Sequence, residues 1–337
     1  MSVTPSIVAV GAAAIDEWYA VSNLPEPDGG AFASEVTTAF GGVGANVAVA
    51  LDRLGREVGL VSRVGDDEYG RQARAHLADT GVDASRVSVG DDPSTRSVIL
   101  SDPAGERAIV TAGESFRRLR LGEADREALA AAETVFLTGY APDAVSRAVL
   151  GVVETAADPP ALVFDLSGPV EELVGRGTEP GTIRRLRRAA DLFVAGDVAA
   201  AAYFGGPDAA VERVAAAQRA REGSHRWTRG DDAWPRAVFT HGADGMTVVA
   251  DGAVTEFDAF DADVVDATGA GDAFVAGLID RWIAGSDASG PRSDSASVAD
   301  GVRFAAAVAA INCTARFAQP GLPARDEVAA FLADRER

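Results

Sequence analysis

The stretch "DATGAGDAF" occupies residues 266–274 and sets five small residues between two carboxylates. It follows the strand-like segments "VTEFDAF" and "VVDA" and precedes the apolar segment "AFVAGLIDRWI", which is typical of a buried helix. We therefore predict a helix whose first amides belong to Ala270, Gly271 and Asp272 and are left unpaired by the helix itself. Together with the helix dipole, these amides predict an anion-binding pocket.

A plain helix cap is the alternative interpretation of this stretch. Asp272 would then be a first-turn acid that only stabilises the helix dipole. That interpretation leaves Gly269 and Gly271 unexplained, because glycine inside a helix costs about 1 kcal/mol relative to alanine. The glycines make sense if a ligand must approach the backbone. The turn is not a P-loop, since Gly-Lys-Ser/Thr is missing and the chain contains no lysine.

The composition indicates a globular protein with a strongly acidic surface. Of its 337 residues 47% are hydrophobic, and 51 acidic residues face 31 basic ones, all arginine, for a net charge of −20. Such a charge destabilises a compact chain in dilute buffer, but at molar salt the Debye length falls to about 3 Å and the penalty largely vanishes. The composition resembles that of a cytoplasmic protein from a halophilic archaeon. We expect no nucleic-acid partner, because a negative surface repels phosphates.

The sequence lacks the features of a secreted or membrane-spanning chain. No basic segment followed by an apolar one stands near residue 1, and no run approaches the roughly 18 apolar residues that cross a bilayer. We therefore expect a cytoplasmic protein with no membrane partner. The single cysteine, Cys313, lies in the apolar segment "FAAAVAAINC" and is interpreted as a small core residue.

Apolar, β-rich segments alternate with amphipathic or alanine-rich ones along most of the chain. This pattern predicts an α/β fold with a mainly parallel central sheet and helices on both of its faces. Predicted strands cover 6–11, 58–64, 134–139, 161–166, 191–195, 237–242 and 246–252. Predicted helices cover 44–54, 67–79, 142–156, 182–190, 208–221, 270–284, 296–315 and 325–334.

Two segments, about 14–40 and 94–113, break this alternation and look like short strands joined by turns. The sequence "DPAG" at 102–105 is typical of a hairpin turn. Because no helices would cover these strands, we predict a small antiparallel β lid that stands off the main sheet. The polar stretches 221–236 and 285–297 are interpreted as surface loops.

A second glycine-rich turn, "GGVGAN" at 41–46, follows a predicted lid strand and opens a helix. Glycine permits the sharp turn and close backbone approach that this position requires. The turn does not match the dinucleotide-binding fingerprint, because Val47 stands where a third glycine belongs. Taken alone, it fits a ligand-binding turn and a simple helix cap equally well.

These motifs resemble the two signatures of the ribokinase/PfkB-type carbohydrate kinases. "GGVGANVAVALDRLG" (41–55) resembles the sugar-side signature, and "DATGAGDAFVAGL" (266–278) resembles the C-terminal one. Around these signatures, the motifs "RVGDDEYG", "FTHGADG" and "FAQPGLP" fall in the family's order and spacing. The resemblance implies a ribokinase-like three-layer α/β/α sandwich, with residues 1–337 as a single kinase domain into which the lid is inserted.

The resemblance also implies the chemistry and the roles of individual residues. The turn 269–272 (Gly269, Ala270, Gly271, Asp272) would hold the phosphoryl group in transfer, and Asp272 would be the general base. Asp16, Gly41, Gly42 and Asn46 would bind sugar hydroxyls, since carboxylate and amide groups suit vicinal diols.

The implied cofactors are ATP, Mg²⁺ and a monovalent cation, potassium. Thr240, Gly242 and Gly245 would lie near the nucleotide phosphates and ribose, and Ala309 would belong to the alanine-rich helix that packs against adenine. Mg²⁺ would arrive with the nucleotide and hold mostly waters and phosphate oxygens. Asp266 and Thr268 would line the potassium site.

Several positions depart from the family pattern. The usual Asn-x-x-Glu, which organises magnesium, is replaced by "GDVA" at 196–199, so Asp197 is the remaining acidic candidate, acting through water. Val43 and Ala14 replace a lysine and an asparagine common in ribokinases, and they imply a different substrate pocket. Gly321 replaces a frequent serine, which weakens the potassium prediction.

The acceptor is left open by the sequence. Candidate selectivity residues on the lid are Trp18, Tyr19, Phe32, Arg96 and Ile99, and an arginine such as Arg96 could pair with a substrate phosphate. We expect phosphorylation of a terminal hydroxyl of a ribose-like or fructose-like sugar. The alternatives are a nucleoside kinase, a kinase of a sugar phosphate such as ribose 1-phosphate, and a regulator that binds without turnover. The uncovered lid further predicts a homodimer.

Overall fold

The computed structural model describes residues 5–220, 234–284 and 295–335, which form thirteen β-strands and eleven α-helices. The two predicted surface loops, 221–236 and 285–297, lie largely outside the described residues. Within the part of the chain that the structure describes, no helix is long and apolar enough to cross a membrane.

A nine-stranded central sheet organises the molecule in the order β13-β12-β11-β10-β9-β8-β1-β4-β5. Its strands pair in parallel except for β12 and β13, which are antiparallel to their neighbours. Numbered along the chain, its strands are β1 (Ile7–Val10), β4 (Val58–Gly65), β5 (Asp83–Gly90), β8 (Thr134–Thr138), β9 (Ala161–Asp165), β10 (Leu192–Gly196), β11 (Arg236–Thr240), β12 (Met246–Ala250) and β13 (Ala253–Phe257).

The helices cover both faces of this sheet. They are α1 (Val43–Arg53), α2 (Glu68–Ala78), α3 (Glu123–Ala131), α4 (Asp143–Thr155), α5 (Val170–Leu173), α6 (Pro180–Ala189), α7 (Asp197–Phe204), α8 (Pro207–Arg219), α9 (Ala270–Leu278), α10 (Ser295–Asn312) and α11 (Arg325–Asp334). A π-helical turn, Ile279–Ile283, continues α9.

Strand β1 contributes side chains to two hydrophobic cores, one on each face of the central sheet. All four of its residues are buried, but successive side chains of a strand point to opposite faces. Ile7 and Ala9 join the cluster formed with α1, α9 and α10, whereas Val8 and Val10 join the cluster formed with α4, α6 and α8. A strand buried on both faces is the mark of a parallel sheet between helical layers. The predicted three-layer sandwich is thus confirmed.

A four-stranded lid stands off the main sheet in the order β3-β2-β6-β7. Its strands are β2 (Ala14–Val21), β3 (Ala33–Gly41), β6 (Arg96–Ser101) and β7 (Arg107–Ala112), within the two segments predicted from the sequence. The outer pairs are antiparallel as expected, but the central pair β2–β6 is parallel. The parallel pair arises because the two lid segments are separate excursions from the central sheet rather than one continuous hairpin.

The seven predicted strands and eight predicted helices are all found, with shifts at their ends. The edge strand β5 and helices α3, α5 and α7 escaped prediction. Strand β5 is the sequence "DASRVSVG", whose side chains are half-buried or exposed, so it lacks the apolar run that marks the inner strands. Helix α7 is an alanine-rich segment with little amphipathic pattern, and "GDVA" at its start was interpreted as a broken motif instead.

Candidate active site

The candidate site lies at the carboxyl ends of the parallel strands. Strand β1 pairs with β8 on one side and with β4 on the other, so the strand order reverses at β1. In open α/β sheets, ligands bind beyond the carboxyl ends of the strands at such a reversal. Asp165 is the last residue of β9, and Asp16 lies on β2, the strand that follows β1.

The turn before α9 has the shape that its glycines predict. Gly269 is the N-cap of α9 with φ 77°, a left-handed conformation, and a Cβ there would lie 2.8 Å from Ala318. A Cβ on Gly271 would meet no atom within 4 Å, so open space lies in front of that residue. The two glycines are therefore needed for different reasons. A side chain at position 269 would clash with Ala318, whereas the missing side chain at position 271 leaves open space beside the turn.

The amides of this turn are not all equivalent. The amide of Ala270 donates to the carbonyl of Ala267 at 3.2 Å, which corrects the expectation that three amides would be unpaired. Those of Gly271 and Asp272 have no acceptor within residues 5–220, 234–284 and 295–335. The pocket thus offers two amides and the positive end of the α9 dipole to an anion.

Asp272 is the titratable group with the most altered chemistry in this region. Burial of its carboxylate, together with the negative charges of Asp165 and Asp16, raises the pKa of Asp272 to about 7. A hydrogen bond from Asn46 Nδ2 to Asp272 Oδ2, 2.7 Å long, opposes this rise. A carboxyl that titrates near neutral pH can accept and release a proton under working conditions, which is the requirement for a general base.

Asp16 and the first glycine-rich turn form a single unit. Asp16 is 8% exposed. A Cβ on Gly41 would lie 2.1 Å from its Oδ2, so only glycine fits at position 41. Gly42 has φ 92°, and its Cβ would lie 2.5 Å from the carbonyl oxygen of Ala12. Burial raises the pKa of Asp16, and a hydrogen bond with the Ser97 side chain acts in the opposite direction. The turn therefore brings Asp16, Gly41, Gly42 and Asn46 to the same side as Asp272.

Arg96 is not brought to this group. Ser97 pairs with Asp16 in the lid sheet, so Arg96, one residue earlier, projects from the opposite face of the lid. There its guanidinium lies 3.2 Å from Glu17 and 5.0 Å from the centre of the Tyr69 ring. Its charge is directed toward α2, because neighbouring residues of a strand face opposite ways.

The residues predicted for the nucleotide are divided between two places. Thr240 and Gly242 line a cavity of about 330 Å³ together with Gly196, Asp197 and Tyr140. Gly245 supports the adjacent turn with φ 96°, and a Cβ there would lie 2.1 Å from the carbonyl oxygen of Phe257. Ala309 does not line this cavity; it is half-buried on α10, the helix that packs along α9.

Asp197 is bound to a histidine beside that cavity. Its Oδ1 lies 2.6 Å from Nδ1 of His241, and Nε2 of the same ring lies 2.9 Å from the hydroxyl of Thr247. Both ring nitrogens thus have partners, and since a carboxylate only accepts, Nδ1–H is the donor to Asp197. The carboxylate is 46% exposed and remains within reach of solvent.

The side chains predicted to line a potassium site are already engaged. Oδ1 of Asp266 accepts from the amide and the hydroxyl of Thr268, at 2.9 and 2.7 Å, and its Oδ2 accepts from the amide of Phe317 at 2.8 Å. The guanidinium of Arg107, on lid strand β7, lies 2.6 Å from the Thr268 hydroxyl and 3.4 Å from Asp266. A positive charge from the lid therefore already neutralises this carboxylate.

Sequence reasoning missed an acidic and aromatic cluster next to Asp272. Burial raises the pKa of Asp165 to about 6, and Ser167, at φ 62°, donates to its carboxylate at 2.6 Å. Burial and the charges of Glu172, Asp165 and Asp272 raise the pKa of Tyr140 to about 12, so its hydroxyl stays protonated. The sequence feature that could have revealed this cluster is Asp165 in the buried segment "ALVFD". It was interpreted only as part of a strand.

Comparisons with known proteins agree with this geometry. Residues 4–325 match the profile of the pfkB family carbohydrate kinase. The ATP-dependent ribose-1-phosphate kinase of Halopiger xanaduensis is 29% identical over 331 residues, which cover 98% of this chain and 98% of the relative. The fructokinase of Klebsiella pneumoniae is 28% identical over 298 residues, which cover 86% and 90% of the two chains.

Solved structures show the same fold. Ribokinase from Giardia lamblia matches with a TM-score of 0.83 at 19% identity, over 99% of this chain and 100% of that one. Arabidopsis thaliana ribokinase, solved with ribose and ATP, matches with a TM-score of 0.78 at 23% identity, over 98% and 99%. The fold and the site thus define a phosphotransferase with an alcohol group as acceptor. The chain belongs to the pfkB family of carbohydrate kinases.

Proposed function

We propose that this protein transfers the γ-phosphoryl group of ATP to a terminal hydroxyl of a pentose or hexose. The observation that carries the proposal is the pairing of Asp272 with the open turn at the start of α9. The carboxyl of Asp272 has its pKa raised to about 7, and the neighbouring amides of Gly271 and Asp272 have no acceptor among the described residues. A base and an anion-binding turn thus adjoin each other.

The proposed mechanism divides the reaction between these two groups. Asp272 accepts the proton of the attacking hydroxyl, while the amides of Gly271 and Asp272 stabilise the negative charge that spreads over the phosphoryl oxygens. Fixed amide dipoles do this without reorganising during the reaction. Asp16 and Asn46 bind the other hydroxyls and orient the sugar. Gly271 leaves the space that the phosphoryl group needs, since a Cβ there would project into the open region.

Magnesium is assigned to the nucleotide rather than to a protein cage. Among the described residues, no group of three or more His, Cys, Asp or Glu side chains could hold a metal ion. The carboxyls of Asp16, Asp165 and Asp272 all have raised pKa values, so the cleft favours a cation that arrives with phosphates. The residues therefore fit a Mg²⁺ ion held mainly by phosphate oxygens and water, and we assign Asp197 to one of those waters. When bound, the ion would neutralise charge on the phosphates.

The predicted potassium ion fits less well. The side-chain oxygens of Asp266 and Thr268 are occupied by backbone amides and by Arg107, so they do not offer a free ligand set. We derive no step through this ion. Activation by potassium stays a prediction, which the Arg107 experiment in the Discussion addresses.

Ribose 1-phosphate is a second candidate acceptor. It is favoured by the end-to-end match to the Halopiger xanaduensis relative of that name. A cavity of about 460 Å³ between the lid and the loop before α9 is lined by Arg107 and Arg316 as well as Trp18, and guanidinium groups suit a phosphate. Both arginines also pair with acids, Arg107 with Asp266 and Arg316 with Glu35, so an anionic substrate would have to compete for them.

A substrate panel in multimolar KCl separates these possibilities. The protein is supplied with ATP and Mg²⁺ and with ribose, fructose, ribose 1-phosphate, adenosine or inosine, and ADP formation and product mass are measured. Turnover of a free sugar supports the first candidate, and exclusive turnover of ribose 1-phosphate supports the second. Conversion of nucleosides alone would reassign the acceptor. Absence of ATP consumption with every acceptor would contradict the proposed function and favour a binding regulator.

We further propose that the chain acts as one domain and forms a homodimer through the lid. Four large apolar side chains of the lid segments are more than half exposed: Phe32, Val36, Ile109 and Val110. Such a concentration on one small sheet is typical of an interface. Sedimentation at multimolar salt, compared with a Val36→Glu variant, tests this assembly, and a monomeric wild-type protein would contradict it.

A further inference from the structure

A continuous path of hydrogen-bonded side chains leads from Asp272 to His76 on α2. Asn46 Nδ2 lies 2.7 Å from Asp272 Oδ2, Gln319 Nε2 lies 2.9 Å from Asn46 Oδ1, and His76 Nε2 lies 2.6 Å from Gln319 Oε1. The four residues come from α9, α1, the loop after α10 and α2. We call this path the amide relay. The family signatures include Asn46 and Asp272 but leave the role of its outer half open.

The relay has a single possible direction when Asp272 is ionised. A carboxylate only accepts, so Asn46 must present its NH₂ group to Asp272 and is left with its carbonyl oxygen on the other side. That oxygen needs a donor, which the NH₂ group of Gln319 supplies. The carbonyl of Gln319 needs a donor in turn, and Nε2–H of His76 supplies it. The directions of both amides are therefore set from two ends, by the Asp272 carboxylate and by the proton on His76 Nε2.

Burial makes this direction hard to reverse. Asn46 and Gln319 are each 5% exposed, so water does not compete for their amide groups. The ring of His76 is stacked on Phe40 of lid strand β3, with 3.7 Å between ring centres and 5° between ring planes. Stacking holds the ring in one plane, so Nε2 can leave Gln319 only by a flip within that plane, which would place a C–H group against the Gln319 carbonyl. Each turned amide would place two acceptors face to face, which is costly inside a protein.

We propose that Gln319 and His76 are positioning residues for the phosphoryl transfer, acting through Asn46 to keep an N–H group directed at the catalytic base. This inference rests on the proposed function of Asp272. It explains why a half-buried histidine bonds to a buried glutamine, which in turn bonds to Asn46. Neither residue is next to the anion-binding turn in sequence. The second N–H of Asn46 stays available for a sugar hydroxyl.

The sharpest test removes members of the relay while the ring stacking on Phe40 is kept. His76→Phe keeps an aromatic ring against Phe40 but deletes the Nε2–H donor, and Gln319→Met deletes both groups of the second amide. With either change Asn46 is held in this direction by Asp272 alone and loses the support of the outer relay. We expect kcat to fall roughly two- to tenfold, the range for one neutral hydrogen bond, with the KM for ATP unchanged. The control is Gln72→Met on the same helix, where Gln72 binds only the exposed Glu68 among the described residues.

A second readout follows the base itself. The groups that act on Asp272 are Asp16, Asp165 and Asn46, and of these Asn46 lowers its pKa. Loss of the relay should therefore shift the acidic limb of the kcat/KM profile upward by a few tenths to about one pH unit. The double variant His76→Phe/Gln319→Met should add little to either single change, because both act through the same bond.

Failure of the inference is distinguishable from failure of the proposed function. If His76→Phe and Gln319→Met behave like Gln72→Met while Asp272→Asn is inactive, the relay is contradicted and the base is not. If Asp272→Asn keeps its turnover, the base assignment fails. The relay is then judged by carbon NMR titration of the Asp272 carboxyl in the free protein, with Asp272→Asn for assignment. An unchanged titration in His76→Phe would overturn the inference.

Discussion

Two aspartates lie eight residues apart on one helical segment and have opposite surroundings. Asp280, in the π-helical turn after α9, is fully buried between Arg56 and Arg325, which bind its Oδ1 at 2.5 Å each. Asp272, in the first turn of α9, lies near Asp16 and Asp165 and accepts a hydrogen bond from the neutral amide of Asn46. Asp280 is thus paired with two guanidinium groups, whereas Asp272 has other carboxylates as its charged neighbours.

The difference separates a structural acid from a reactive one. The ion pairs of Asp280 tie the end of α1 and the start of α11 to the segment after α9, because Arg56 follows α1 and Arg325 begins α11. Because two guanidinium groups bind the same carboxylate oxygen, Asp280 holds three segments of the chain together. Asp272 is destabilised as an anion, which raises its affinity for a proton. The same residue type thus supplies cohesion at one end of the segment and reactivity at the other.

The largest expected effect is the loss of turnover in Asp272→Asn. The isosteric amide keeps the size of the side chain but cannot accept the hydroxyl proton, so kcat should fall by about 10²- to 10⁴-fold. ATP affinity, measured by calorimetry, should stay within a few fold of the wild-type value. Turnover near the wild-type rate would refute the assignment of Asp272 as the base.

The matched change at the other end should affect folding instead. Asp280→Asn removes the negative charge between Arg56 and Arg325, and we expect the free energy of unfolding to drop by about 2–3 kcal/mol. This is less than the 3–5 kcal/mol typical of fully buried pairs, because the guanidinium groups reach solvent. Denaturant unfolding at fixed salt measures the drop. A folded Asp280→Asn protein with wild-type stability and strongly reduced kcat would break the comparison.

The raised pKa of Asp272 predicts opposite pH responses of activity and stability. As a base it must be ionised, so kcat/KM should rise with pH, by about tenfold per unit below its pKa of about 7, and then level off. Its pKa is higher in the folded than in the unfolded chain, so the folded state binds more protons between about pH 4 and pH 7. The contribution of Asp272 to stability therefore decreases as pH rises through that window.

The control for this pH response is Asp272→Asn, in which both trends should flatten. Its melting temperature should exceed that of the wild-type protein at pH 8, where the wild-type carboxylate is ionised. A kcat/KM profile of the wild-type enzyme that stays level from pH 5 to pH 8 would contradict the assignment.

The smallest expected effect concerns Asp266, a third aspartate that is neutralised from the lid. Arg107→Met removes the half-exposed guanidinium from Asp266 and Thr268, so we expect kcat/KM to fall roughly two- to fivefold, as for other partly exposed ion pairs. If Arg107 replaces a monovalent cation, the wild-type enzyme should tolerate exchange of KCl for tetramethylammonium chloride at equal ionic strength, and the variant should not. Strong dependence of the wild-type enzyme on potassium would support the family-based prediction.

The sequence was sufficient for those parts of the site that depend on local backbone geometry. The glycines at 41–42 and 269 are needed for left-handed or crowded backbone, and such needs are visible in a short motif. The order of apolar segments was likewise enough to predict the layers and the lid, because buried parallel strands differ strongly from amphipathic helices.

The remaining features depend on contacts between distant segments. Gln319 meets Asn46 across 273 positions and His76 across 243, and no local pattern encodes such meetings. Arg96 was assigned to the substrate on its charge, but the register of β6 against β2 decides which face it occupies. Arg107 was not singled out, since its contact with Thr268 joins two motifs that were interpreted separately.

The parallel pairing of β2 with β6 has a consequence for the order of folding. Asp16 and its partner Ser97 are contributed by two excursions of the chain, and α1, β4, α2 and β5 lie between them. Because the proposed sugar-binding side of the cleft needs residues from both excursions, we expect a nascent chain to acquire acceptor affinity only after both have docked. Contacts of such long sequence separation form slowly. Ligand-binding competence should therefore emerge after the bulk of helical structure during refolding.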